Sequence, residues 1–121
     1  MTMRGIRGAT TVTIDEPGQI LRATQELIGA IVVSNPGLKT DEVGSVIFSV
    51  TEDLVSAFPA QAVREMGWDQ VPMMCAREIP VKGSLPLCIR VLIHWNTEIT
   101  QSEIKHIYLG NAITLRPDLV K

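Results

Sequence analysis

Cys88-Ile89-Arg90-Val91-Leu92-Ile93 sets an arginine inside an apolar run, and no other segment constrains the fold of this chain as tightly. The run is too short to cross a membrane and rich in β-branched residues, so it reads as a buried strand. A guanidinium does not release its proton in a protein, so the charge at Arg90 persists. Burying it is costly unless an anion or a set of acceptors meets it. The partner is therefore a carboxylate of the protein or one belonging to a ligand. For a lone strand arginine the internal ion pair is the commoner answer.

The chain has 121 residues, enough for one domain with a proper core and too few for two. Eleven basic and thirteen acidic residues give a net charge of −2, which removes the electrostatic case for nucleic acid. No apolar stretch reaches membrane-spanning length, and the first residues lack the long apolar segment of a signal peptide. Two cysteines, Cys75 and Cys88, make no disulfide framework and suit a reducing cytoplasm. Neither metal-ligand spacing nor a phosphate loop is present. The expectation is a cytoplasmic single domain over residues 1–121.

Met3 to Val12 reads as a first strand, interrupted by Gly5 and Gly8, where a bulge or the close approach of another backbone or a ligand is expected. Asp15-Glu16-Pro17 starts a helix, with Asp15 as its cap. Ile20, Thr24, Leu27 and Ile31, helped by Ala23 and Ile28, form a stripe at helical spacing, and Asn35-Pro36-Gly37 ends it. Val43 to Val50 is a second strand. Pro59 opens a short helix through Met66, with Gly67 as terminator. Val71 to Ile79 is a third strand and Leu87 to Trp95 the fourth. Thr100-Gln101-Ser102-Glu103 matches a capping box. Ile107 to Leu109 and Ile113 to Leu115 read as terminal strands, the second stopped by Pro117. Five or six strands with one long helix and short helices make an α+β domain around a mixed sheet.

Alternation in the fourth strand puts Ile89, Val91, Ile93 and Trp95 on one face, against the long helix. Cys88, Arg90, Leu92 and His94 take the other, facing a cleft or a subunit interface. Arg7 is a second strand arginine with small or apolar neighbours. Glu78 is the candidate counter-ion of Arg90, Tyr108 lies near the C-terminus, and Arg64 and Arg116 are further cations. Cys75 is by default an inert core thiol, and His94 and His106 lack a third ligand nearby. No Ser-His-Asp or Cys-His arrangement is recognisable. Several arginines with one carboxylate and one phenol suit a small dianion that is held and polarised.

The same residues carry a family resemblance. Met3-Arg4-Gly5-Ile6-Arg7-Gly8-Ala9-Thr10-Thr11-Val12 resembles the N-terminal signature of the monofunctional bacterial chorismate mutases of the AroH class. Ser56-Ala57-Phe58-Pro59-Ala60 with Arg64, Val71-Pro72 with Cys75 and Glu78, and Cys88-Ile89-Arg90-Val91 agree with that pattern. His106-Ile107-Tyr108-Leu109 and Leu115-Arg116-Pro117-Asp118-Leu119 complete it. The six blocks run end to end in register. Two positions depart: Gln61 stands where lysine is frequent, and Met74 where threonine is common.

The resemblance implies a homotrimeric pseudo-α/β-barrel with an active site at each subunit interface, and the conversion of chorismate to prephenate on the route to phenylalanine and tyrosine. It implies neither cofactor nor metal. Arg90 is expected to meet the ether oxygen and a carboxylate, and Arg7 and Tyr108 a carboxylate. Glu78 and Cys75 are expected at the ring hydroxyl. Met73 and Leu115, with the backbone of Met74, Cys75, Ala76, Arg77 and Glu78, would line the pocket. Phe58, Ala60, Arg64 and Arg116 would form its mouth and walls, Phe58 and Arg64 coming from the neighbouring subunit.

A regular strand would point Cys75 and Glu78 to opposite faces, so a bulge or an early strand end is needed to bring them together. Other readings stay open: a trimer that only captures a carboxylate metabolite, an imine deaminase of the Rid type, or a protein-binding domain in which Arg90 pairs with Glu78.

Overall fold

The run around Arg90 is the middle strand of a five-stranded mixed sheet in the computed structural model, which describes residues 1–116. The elements are β1 (Thr2–Thr11), α1 (Pro17–Ser34), β2 (Val43–Val50), α2 (Pro59–Glu65), β3 (Met73–Arg77), β4 (Cys88–Thr97) and β5 (Ile107–Tyr108). Single 3-10 turns occupy Thr40–Glu42 and Gln101–Glu103, and a longer one covers Gly110–Thr114. The strand order is β3-β2-β4-β1-β5. Strand β4 runs antiparallel to both β1 and β2, while β3 and β5 add in parallel at the two edges.

Alternation decides what each face does. Ile89, Val91, Ile93 and Trp95 are buried, as are Val46, Phe48 and Val50 of β2 and Ile6 of β1. Helix α1 closes this face with Ile20, Leu27, Ile28 and Ile31 from the expected stripe. Gly8 lets the helix approach: a Cβ there would lie 3.0 Å from Ile31 Cδ1 and 3.1 Å from both Val91 Cγ1 and the Ile107 carbonyl oxygen. Both strands beside β1 and the helix over it converge on that one missing methyl group.

The cap of α1 is Glu16. Its carboxylate accepts the N–H groups of Gly18 and Gln19 at 3.0 and 2.8 Å. Asp15, expected there, instead takes the Val55 and Ser56 N–H groups and the Ser56 hydroxyl, tethering the segment before α2. At the other end Asn35 caps the helix and spans to a remote segment. Its side chain donates to the carbonyls of Ile31 and Lys105 and accepts the Lys105 N–H. The start of β5 is thereby fixed to the end of α1.

Two strand expectations change. The third strand is shorter than read, Met73–Arg77, because Pro72 offers no N–H and Pro80 stands two residues after Glu78, whose N–H makes the last bond to β2 at the Val50 carbonyl. Ile113 to Leu115 is not a strand. Gly110, at φ +58°, turns the chain over Thr11, and the carbonyls of Leu109 and Ala112 accept from Ala112 and Leu115. Pro117, Asp118 and Leu119, read as a strand stop and part of the last family block, lie outside the described residues.

Candidate active site

The sheet face away from the helices holds one transverse row that crosses four strands. Ser49, Arg90, Ala9 and Tyr108 are register partners in sequence across β2, β4, β1 and β5. The next row is Ile47, Leu92 and Arg7. Small neighbours on both sides of Arg90 leave room above its guanidinium, and a cavity of about 370 Å³ occupies that space. Arg7, Glu78, Arg90, Tyr108, Leu115 and Arg116 all line it, with Ser49, Ile47 and Leu92.

Glu78 is indeed the near carboxylate of Arg90. Its Oε2 lies 3.5 Å from Arg90 Nε. The same oxygen accepts the hydroxyl of Ser49, so Ser49 fixes the carboxylate beside the guanidinium. Yet Arg90 Nε is buried and makes no hydrogen bond among the described residues. The pair satisfies charge without satisfying that donor, which is costly, while 38% of the Arg90 side chain stays exposed where it lines the cavity.

His106 supports the Arg7 side of the cavity. Its Nδ1 accepts the Arg7 backbone N–H at 2.9 Å. Burial, and then the nearby guanidiniums of Arg7 and Arg116, lower its pKa, so the ring is neutral at pH 7 and can act as that acceptor. Beneath Arg90, burial pushes the Cys88 thiol up, partly opposed by the Arg90 charge. Cys88, Ala9, Tyr108 and Ala112 form a small apolar cluster under the cavity, with Leu85 and Leu115 against it.

The remaining expected site residues stand elsewhere in the chain. Cys75 faces the helix side, in register with the buried Phe48, although β3 ends before Glu78. A second cavity, of about 490 Å³, is lined by Phe58, Cys75, Ala76 and Arg77 together with Leu21 and Gln61. Arg77 turns its guanidinium to the carbonyls of Thr51 and Leu54, at 2.8 and 2.9 Å. Met73 packs against the core, Met74 is 59% exposed beside Ile47, Ala60 is buried in α2 and Arg64 is exposed on it. Within the chain the expected residues thus fall in two separate places: an arginine-rich cavity on the sheet, and a wall with Phe58 and Cys75.

The decisive comparison is with a family model described as chorismate mutase type I, which matches residues 3–119. The chain belongs to the type I chorismate mutases. A chorismate mutase AroH of Thermus thermophilus is 52% identical over 117 residues, covering 97% of this chain and 96% of that protein. That of Bacillus subtilis (strain 168) is 45% identical over 120 residues, covering 98% and 94%. A chorismate mutase structure from Clostridium thermocellum, 47% identical, superposes with a TM-score of 0.88 over 91% of this chain and 97% of that one. The α+β mixed sheet is accordingly the type I chorismate mutase fold.

Within that family fold, Ser49 is a neighbour of the cavity that sequence reasoning passed over, and His106 was read only as a histidine without a third ligand and as part of a family block. The signal for Ser49 was present: Ser45, Ile47 and Ser49 alternate with Val46, Phe48 and Val50, so two hydroxyls share the face of Arg90. His106 gave no comparable signal, because its partner is a backbone group at the far end of the chain.

Proposed function

We propose that the cavity around Arg90 is where this chain, as one chorismate mutase domain, converts chorismate to prephenate in aromatic amino-acid biosynthesis. Family membership carries the isomerase activity itself. The observation that carries the site is the partly exposed Arg90 side chain, which shares one cavity with Arg7, Arg116 and Tyr108 while Glu78 compensates its charge. In this reading its fork meets the ether oxygen and a carboxylate of the substrate. Arg7 and Tyr108 hold carboxylate, and Glu78 faces the ring hydroxyl.

The chemistry matches such a lining. The rearrangement is concerted within one molecule, so its two needs are conformational and electrostatic. Holding the enolpyruvyl side chain over the ring in a near-attack geometry removes the entropy barrier. The breaking C–O bond leaves negative charge on the ether oxygen, where a fixed guanidinium stabilises the transition state more than the ground state.

A homotrimer with shared sites is part of the proposal. It is supported by the uncovered sheet face, which exposes Met3 and Met74, and by the separation of the two half-sites within one chain. The Phe58 and Cys75 wall, with Arg64 near it on α2, would come from a neighbouring subunit. Cys75 then reaches the ring hydroxyl across the interface, which resolves its three-residue offset from Glu78. The free thiols of Cys75 and Cys88 support a cytoplasmic location.

The test is chorismate consumption by the purified protein, followed through loss of its ultraviolet absorbance. Arg90→Ala should remove nearly all turnover in a protein that still folds; near-wild-type activity of that variant sinks the role of Arg90. Mixing inactive Arg90→Ala and Arg64→Ala subunits should recover activity. A mixture that stays inactive counts against shared sites.

A further inference from the structure

Leu87, the residue before β4, has φ +52° and is the one non-glycine residue with positive φ among the described residues. A residue bearing a Cβ is disfavoured there, and such strain persists only when its surroundings over-determine it. Every main-chain hydrogen-bonding group of Leu87 and Cys88 is in fact held. The Leu87 N–H donates to both carboxylate oxygens of Asp53, at 3.2 and 3.0 Å. The Cys88 N–H donates to Thr51 Oγ1 at 3.0 Å, and that hydroxyl donates to Asp53 Oδ1 at 2.5 Å. The carbonyls of Leu87 and Cys88 accept from Val12 and Thr51.

The turn that supplies these groups is itself anchored. Arg77 binds the carbonyls of Thr51 and Leu54, and the residue after Arg77 is Glu78. Arg90 follows Cys88 by two residues on the same face of β4. One short turn therefore fixes where β4 begins and where β3 ends, and with them the guanidinium and the carboxylate of the cavity. Leu87 itself packs against the core, which explains why a side chain is kept in this conformation.

We infer that Asp53, with Thr51, is a positioning residue for Arg90: it holds the strained Leu87–Cys88 backbone so that the guanidinium meets the developing charge. The inference rests on the proposed role of Arg90. A misplacement of about 1 Å at such a group can change turnover by up to about a hundredfold. Because the ether-oxygen contact strengthens in the transition state while the carboxylate contact is made in both states, kcat should fall by more than KM rises.

The experiment combines Asp53→Ala, Asp53→Asn and Leu87→Gly, with melting curves on each and kinetics well below every midpoint. Asp53→Ala should lower kcat by about tenfold to a hundredfold with KM within about threefold of wild type. Asp53→Asn, which keeps one acceptor oxygen, should fall between. Glycine at 87 adopts φ +52° without strain, so Leu87→Gly should keep most activity and, added to Asp53→Ala, should restore kcat to near its own level. Unchanged kcat in Asp53→Ala, or no restoration by Leu87→Gly, overturns the inference. Should Asp53→Ala fail to fold, Asp53→Asn with and without Leu87→Gly decides by the same two criteria. Arg90→Ala separates the two levels: its retained activity removes the Arg90 reading, whereas its inactivity beside a fully active Asp53→Ala removes only the clamp.

Discussion

His106 Nδ1 accepts the backbone N–H of Arg7 at 2.9 Å, joining the segment before β5 to the strand that carries one of the cavity's cations. Burial and the charges of Arg7 and Arg116 lower the pKa of His106 from its ordinary 6.5. The folded state thus binds this proton less readily than the unfolded chain does. The contribution to stability is fully present above about pH 6.5 and is lost as pH falls through the lowered folded value. Melting temperature should drop across that window, and His106→Asn, an acceptor that does not titrate, should flatten the drop. An unaltered pH profile in His106→Asn would remove His106 as its cause.

Ser49→Ala takes the hydroxyl donor from Glu78 while leaving the strand pairing intact. The bond orients the carboxylate beside Arg90, so its loss should lower kcat/KM by about tenfold. A hydrogen bond to a charged group contributes about 1.5–3 kcal/mol to stability, less where water can replace it, so the melting temperature should fall modestly. Steady-state kinetics beside a thermal melt measures both.

Gly8→Ala places a methyl group 3.0–3.1 Å from Ile31, Val91 and the Ile107 carbonyl. Overpacking of this kind costs about 1–3 kcal/mol. Because β1 carries Arg7 and Ala9 on either side, activity should fall together with stability. Denaturant midpoints compared with kcat would reveal it; wild-type stability would mean that α1 shifts freely, contrary to its packing.

Asn35→Ala leaves the Lys105 N–H and carbonyl without their partner. Lys105 is exposed, so the lost bonds should cost only about 0.5–1.5 kcal/mol each, and the loss should be local to the strand that bears Tyr108. Hydrogen exchange should rise first at residues 105–108. Uniform loss of protection across the sheet would show instead that α1 and β5 unfold only together with the rest.

The strand alternation around Arg90 made the sheet legible, since Ile89, Val91, Ile93 and Trp95 are buried and Arg90 is not wholly so. The stripe of α1 and the bounds of β2 were equally readable from periodicity. The cap was misplaced because Asp15 and Glu16 both have capping chemistry, and only the distant Ser56 decides between them. Gly110 defeated the last strand, as apolar alternation over three residues cannot register a left-handed turn before it. For the site, chain order placed Arg7, Glu78, Arg90 and Tyr108 in strands, but their meeting depends on cross-strand register. That Cys75 turns away from them agrees with the strand period, which sets it opposite Glu78, and its pairing with the buried Phe48 fixes the helix side as its face.

The register Ala9 to Arg90 has a temporal meaning as well. The strand bearing Arg7 is synthesised well before both its neighbours, β4 and β5. During translation β1 has no sheet to join, and α1 has no complete face to cover. Contacts this distant in sequence slow folding and leave apolar strands waiting exposed. The cavity is therefore among the last features of the molecule to exist, closing only when the final strand docks beside the first.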